Sequence, residues 1–155
     1  MKRLIFLVLT FCAGPALSGP LTERDGWEIM PTGKGFDALV EDVLAAVEGN
    51  GMGVVTQAGP TGAAKARGVD IPGNRVIGVF NNIVAVEVLG LSTAAMIEAP
   101  IRLYVTENED ETATLSYKTP SLVLAPYFEE GGARLEEIAG ELDTVFDEIA
   151  ADATE

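Results

Sequence analysis

The chain has 155 residues and a formal net charge of −14, from 24 acidic and 10 basic side chains, with no histidine and a single cysteine, Cys12. A field of that sign repels phosphate backbones and anionic lipid, which argues against nucleic acid and membrane surfaces as partners. Without histidine, and with Cys12 in the leader described next, the chain lacks the residues for the usual zinc sites, for His- or Cys-ligated haem and for imidazole-activated nucleophiles.

Met1-Lys2-Arg3 is basic, and Leu4 to Ala13 is an apolar run that Gly14-Pro15 breaks. The run is shorter than the roughly 20 residues a spanning helix needs and matches a signal-peptide core. Ala16 and Ser18 place small residues at the two positions a signal peptidase reads. Residues 1–18 are therefore expected to be a cleavable signal peptide, cut after Ser18, with a periplasmic or secreted product. A membrane anchor is disfavoured by length. A lipoprotein is disfavoured by Phe11, which stands before Cys12 where a small residue is needed. The mature chain then carries 8 basic residues against 24 acidic ones, a net −16, and no cysteine. It has no disulfide to draw on and must be stable through an ordinary core, for which its length suffices.

Residues 19–26 read as a loose lead-in and 27–151 as one globular domain. Trp27 to Met30 alternates as a first strand, and Pro31 to Gly35 reads as a turn. Phe36, Leu39, Val40, Val43, Leu44 and Val47 fall on one helical face, and Gly49-Asn50-Gly51 ends that helix. Gly51 to Gln57 is a second strand. Pro60 and Gly68 bound one or two helical turns. Neither this segment nor Gly49 to Gly53 has the spacing or context of a phosphate or dinucleotide loop. Arg75 to Phe80 is a buried strand ending in Asn81-Asn82. Its amides suit a helix cap. We assign the capping role to Asn82 and leave Asn81 as the candidate ligand contact. Ile83 to Gly90 reads as a short helix after that cap, and Ser92 opens a further turn. Pro100 to Glu107 and Thr112 to Lys118 form a β-hairpin across the polar turn Asn108 to Glu111, with one packed and one wetter side. Leu122 to Gly132 is apolar and turn-rich. Leu135, Ile138, Leu142, Val145, Phe146 and Ile149 then make the stripe of a long amphipathic helix. The order β-α-β-(short α)-β-α-β-β-α predicts an α+β fold: a single-layer mixed or antiparallel sheet of about five strands, with two long amphipathic helices on one face.

Three pieces of this chain together resemble the bacterial family called domain of unknown function 302, in its exported form. They are Gly78-Val79-Phe80-Asn81-Asn82, Met96-Ile97-Glu98-Ala99-Pro100-Ile101-Arg102 and Ser116-Tyr117-Lys118-Thr119-Pro120. The resemblance covers about Trp27 to Ala150. It implies a TATA-binding-protein-like α+β fold and a compact dimeric domain, and it supplies no reaction. Phe80 stands where relatives can carry cysteine, so no redox or metal role carries over.

The remaining acid–base candidates are Glu98, Glu107, Tyr104, Tyr117 and Lys118. Glu107 to Glu111 offers oxygen ligands of the kind calcium prefers but lacks the glycine and final glutamate of the usual loop. No metal or cofactor is expected. Asn81, Asn82, Glu98, Pro100, Tyr117 and Pro120 are the candidate ligand-binding residues, expected to meet at one edge of the sheet. The function expected is non-catalytic binding of a small molecule or a periplasmic protein partner by a homodimer. The alternatives are a structural module without ligand, or a hydrolase or isomerase run by carboxylates and Tyr.

Overall fold

The structure, a computed structural model, describes residues 21–155. The expected signal peptide and its cleavage point lie outside these residues. The strands are β1 (Trp27–Gly35), β2 (Gly53–Ala58), β3 (Asn74–Phe80), β4 (Ile101–Glu107) and β5 (Thr112–Lys118). The helices are α1 (Phe36–Gly49), α2 (Thr61–Ala66), α3 (Asn82–Leu91), α4 (Pro120–Leu124) and α5 (Phe128–Thr154). The five strands form one sheet in the order β1-β5-β4-β3-β2, antiparallel at every step. The fold is α+β, with the two long helices on one face of the sheet.

Strand alternation decides what that face holds. Ile77 pairs with Leu103, and Leu103 with Tyr117, so these three point the same way. They are buried together with Val79, Val105, Ala113 and Leu115 against Leu39, Val43 and Val47 of α1 and Phe146 and Ile149 of α5. Full burial of each large apolar side chain contributes about 1.5–3 kcal/mol. A second cluster joins the first half of α5, through Leu135, Ile138 and Leu142, to Val88 of α3, Ala95 and Leu124 of α4. Helix α5 therefore holds two things at once: the sheet with its C-terminal half, and α3 and α4 with its N-terminal half.

Two segments depart from the sequence expectation. Pro31 to Gly35 continues β1 rather than turning. The register shifts there, from Pro31 opposite Thr114 to Gly35 opposite Thr112. This is tolerated because β1 is an edge strand, where proline and bulges are at home. Thr32 Oγ1 fastens the bulge by donating to the carbonyl of Ala113 at 2.8 Å. The second departure is Leu122 to Gly132, which is largely helical. Thr119 caps α4 by accepting from the Leu122 N–H at 3.2 Å, and Pro120 occupies the first turn, where its missing N–H costs nothing. A 3-10 turn (Ala125–Tyr127) leads into α5. Gly132 breaks the helical path there at φ 65°, which favours glycine. Asp143 of α5 ties the two helices by accepting from the backbone N–H and the hydroxyl of Ser121.

Candidate functional site

The end of β3, the inner side of α3 and the 3-10 turn Ala94–Glu98 enclose a cleft floored by α5. It measures about 50 Å³. Its walls are apolar: Met52, Val84, Val88, Met96, Ile101 and Leu142 line it, with Phe146 beneath. The methionines are unbranched and polarizable, and such side chains adapt to irregular apolar shapes. Asn81 and Glu98 bring polar groups to the lining. The lining has the character of a small-molecule site, an apolar recess with a few placed polar groups, but its volume is well under the roughly 300–1,000 Å³ of usual ligand pockets and fits only a small apolar group.

Each polar group has a partner that explains its position. Asn81, not Asn82, is the cap of α3: its Oδ1 accepts from the N–H groups of Ile83 at 2.9 Å and Val84 at 3.3 Å. Its Nδ2 donates to the carbonyl of Gly51 at 3.3 Å, joining the helix start to the turn before β2. Asn82 is the first helical residue and is exposed. The capping role assigned from the sequence therefore moves one residue back, because the strand ends at Phe80 and only Asn81 keeps the extended backbone a cap needs. Asn81→Ala should cost about 1 kcal/mol of stability in urea unfolding. Asn82→Ala should shift the same midpoint by less than about 0.5 kcal/mol, as an exposed position away from special features does. Equal losses from the two would overturn this assignment.

Glu98 Oε1 accepts a hydrogen bond from the Tyr127 hydroxyl at 2.8 Å. That bond, with burial and the Glu98 charge, holds the Tyr127 phenol above its usual range. Tyr127 was not among the sequence candidates. It sits in the turn-rich segment, and its pairing with Glu98 leaves no local pattern in the chain.

The six sequence candidates do not form one cluster. Asn81 and Glu98 share the cleft. Pro100 lies on the opposite side of the sheet, where a Cβ built on Gly78 would come within 2.8 Å of its ring. Tyr117 is in the core, its ring 5.6 Å from that of Phe146, and its hydroxyl donates to Asp147 of α5 at 2.7 Å. Burial, that bond and neighbouring carboxylates push the Tyr117 phenol far up. Pro120 is buried at the start of α4. Of the polar members, Asn81 and Glu98 reach the cleft while Asn82 is exposed at the start of α3, and Tyr117 and Pro120 are buried in packing.

At the other end of the sheet, a cleft of about 550 Å³ is lined by Asp37, Asn74, Arg75, Glu107 and Glu111 among others. The acidic turn beside it is engaged in its own bonds. Glu107 accepts from the Gly73 N–H, and Asp110 accepts from the Thr112 N–H and hydroxyl, which holds its carboxyl below the usual range. Among the described residues, no group of three or more His, Cys, Asp or Glu is arranged to hold a metal ion.

The family model described as Domain of unknown function DUF302 matches residues 29–152. The chain belongs to the DUF302 family. Its likeness to a solved structure agrees: the crystal structure of an uncharacterized conserved DUF302 protein from Bacillus stearothermophilus superposes with a TM-score of 0.70. The two chains are 19% identical, and the match covers 85% of this chain and 100% of that one. At that identity the likeness speaks for the fold alone. No curated protein matches the chain.

Proposed function

We propose that this DUF302 chain is an exported, non-catalytic binding domain that acts as a homodimer and takes a small apolar molecule in the cleft beneath α3. The cleft carries this reading, through its apolar walls and the two polar groups Asn81 and Glu98 in its lining. Dimerisation is supported by the outer side of α3, where Ile83 is 77% and Val86 71% exposed, beside Ile97 at 79%. Exposed large apolar side chains concentrated on α3 and the turn after it are the kind of surface that serves interaction sites. Export is supported by the leader sequence, Lys2 to Ser18. The carboxylate and Tyr candidates favour binding over catalysis, because Glu98 pairs with Tyr127 and Tyr117 with Asp147, in different parts of the fold.

Native mass spectrometry of protein expressed with its leader in a Gram-negative host tests all three parts. The expected result is a chain beginning at Gly19, a dimer, and a co-purifying small molecule lost on Val84→Trp, which fills the cleft. Val86→Asp should give a monomer. A chain that still begins at Met1 overturns export, and a wild-type monomer overturns dimerisation. Absence of any bound molecule across independent preparations overturns the ligand.

A further inference from the structure

Among the described residues, the two long helices and the core side chains they cover lie on one face of the sheet, and neither α1 nor α5 packs on the opposite face. Its composition is unlike the rest of the chain. Register pairs place Trp27 opposite Lys118, and Gly78 opposite Arg102. Leu103 pairs with Tyr117 and Tyr104 with Ser116, and one further step of that register sets Arg102 opposite Lys118. The next row on the same face runs Ile29, Ser116, Tyr104, Val76. Among the described residues, no strand position on this face is Asp or Glu, in a chain with 24 of them.

The two cations are therefore opposed without neutralisation. Directly opposite side chains on neighbouring strands are about 5 Å apart at Cβ, and like charges there are destabilising. Among the described residues the ion pairs engage Lys34 and Arg134, and neither Arg102 nor Lys118 takes part in them. Both side chains are exposed. Lys118 instead approaches the Trp27 ring, with its Nζ 5.5 Å from the centroid, and Arg24 approaches the same ring at 5.3 Å. An anionic group between Arg102 and Lys118 relieves their repulsion and gains charge-assisted hydrogen bonds, two of them from the guanidinium fork. Thr56 and Pro100 close over Gly78, and Ser116 is fully buried between Ile29 and Tyr104, so the accessible surface beside the two cations is made by the larger side chains of this face.

We propose that the open face of the sheet is an anion-binding platform, in which Arg102 and Lys118 share one carboxylate or phosphate group and the apolar or aromatic body attached to it lies across Ile29, Tyr104 and Val76. Charge complementarity selects the occupant: the platform is the cationic, carboxylate-free part of an otherwise acidic molecule. It lies across the sheet from the apolar cleft and does not depend on a ligand there.

Trp27 is the chain's only tryptophan and stands at the platform's edge, so its fluorescence reads occupancy directly. The full chain is titrated with phenyl phosphate and with benzoate, and with benzyl alcohol and benzylamine as neutral and cationic counterparts. Saturable change with either anion, stronger than with both counterparts, is expected, and the tighter anion identifies the headgroup. R102A/K118A should weaken that anion at least about tenfold, the scale of losing a charge-assisted bond, with its far-UV circular dichroism unchanged. If that variant does not fold, wild-type titrations at rising salt give the same reading, since affinity must fall with screening. No saturation by either anion, equal binding of benzyl alcohol, unchanged binding by the folded variant, or indifference to salt would overturn the platform.

Discussion

Phe146→Ala is expected to destabilise the chain by about 3–5 kcal/mol, the range for removing a fully buried aromatic side chain. Phe146 is fully buried, and its ring packs at 57° to that of Tyr117. It also reaches the floor of the apolar cleft. The substitution removes contacts with the sheet, the aromatic pair and the support under Leu142 in one step. Chains of this size have only about 5–15 kcal/mol of net stability. The variant should therefore unfold at much lower urea, with a midpoint shift several times that of Asn81→Ala. A loss under about 1.5 kcal/mol would mean that the core does not centre on α5 as described.

The second expected result is a reversal of order with pH. Tyr117→Phe removes the bond to Asp147 and should cost about 1 kcal/mol near neutral pH. Asp147 is exposed and keeps water as a partner, so the cost stays at that level. Above pH 10 the sign changes. The folded chain holds the Tyr117 proton far more tightly than the unfolded chain does. That contribution is complete below the unfolded value of about 10 and is lost as pH rises from there toward the folded value. The wild type loses at most about 1.4 kcal/mol per pH unit through this group, and Tyr117→Phe does not. The variant should thus be the less stable protein at pH 8 and the more stable one above about pH 11, in paired urea titrations. Parallel curves across that range would show that Tyr117 ionises freely in the folded state.

Much of the architecture was legible because its signals are periodic. The α1 positions Leu39, Val40, Val43 and Val47, and the α5 positions Leu135, Ile138, Leu142, Phe146 and Ile149, are read from spacing alone and are all buried. The hairpin of β4 and β5 shows in its alternation, but the side expected to be wetter is not so along its length: Thr114 and Ser116 on it are buried, and Lys118 is exposed. Signals that depend on one residue's backbone were harder. Asn81 and Asn82 have equal capping preference, and only the end of β3 at Phe80 decides between them. Pro31 looks like a turn unless β1 is known to be an edge strand. The cleft was half legible. Asn81 and Glu98 stood among the sequence candidates, but Met52 joins them in the lining and Tyr127 bonds Glu98 through tertiary folding, for which the chain offers no local pattern. The opposition of Arg102 and Lys118 needs the register of β4 on β5, which an isolated hairpin sequence fixes only loosely.

The sheet order also governs when the molecule is able to fold. β1 is the first strand, yet its partner is β5, the last, and α1 finds its packing partner in the C-terminal half of α5. The pairings of β1 with β5 and of α1 with α5 thus join opposite ends of the sequence. Such distant closures are entropically costly and slow. A chain emerging N-terminus first has β1 and α1 in hand but no partner for β1 until β5 arrives and no cover from α5 until Phe146 and Ile149 follow. Early fragments stay open for most of synthesis. For a protein proposed to be exported, that delay leaves a threadable polypeptide at the stage when a prematurely compact one would block passage.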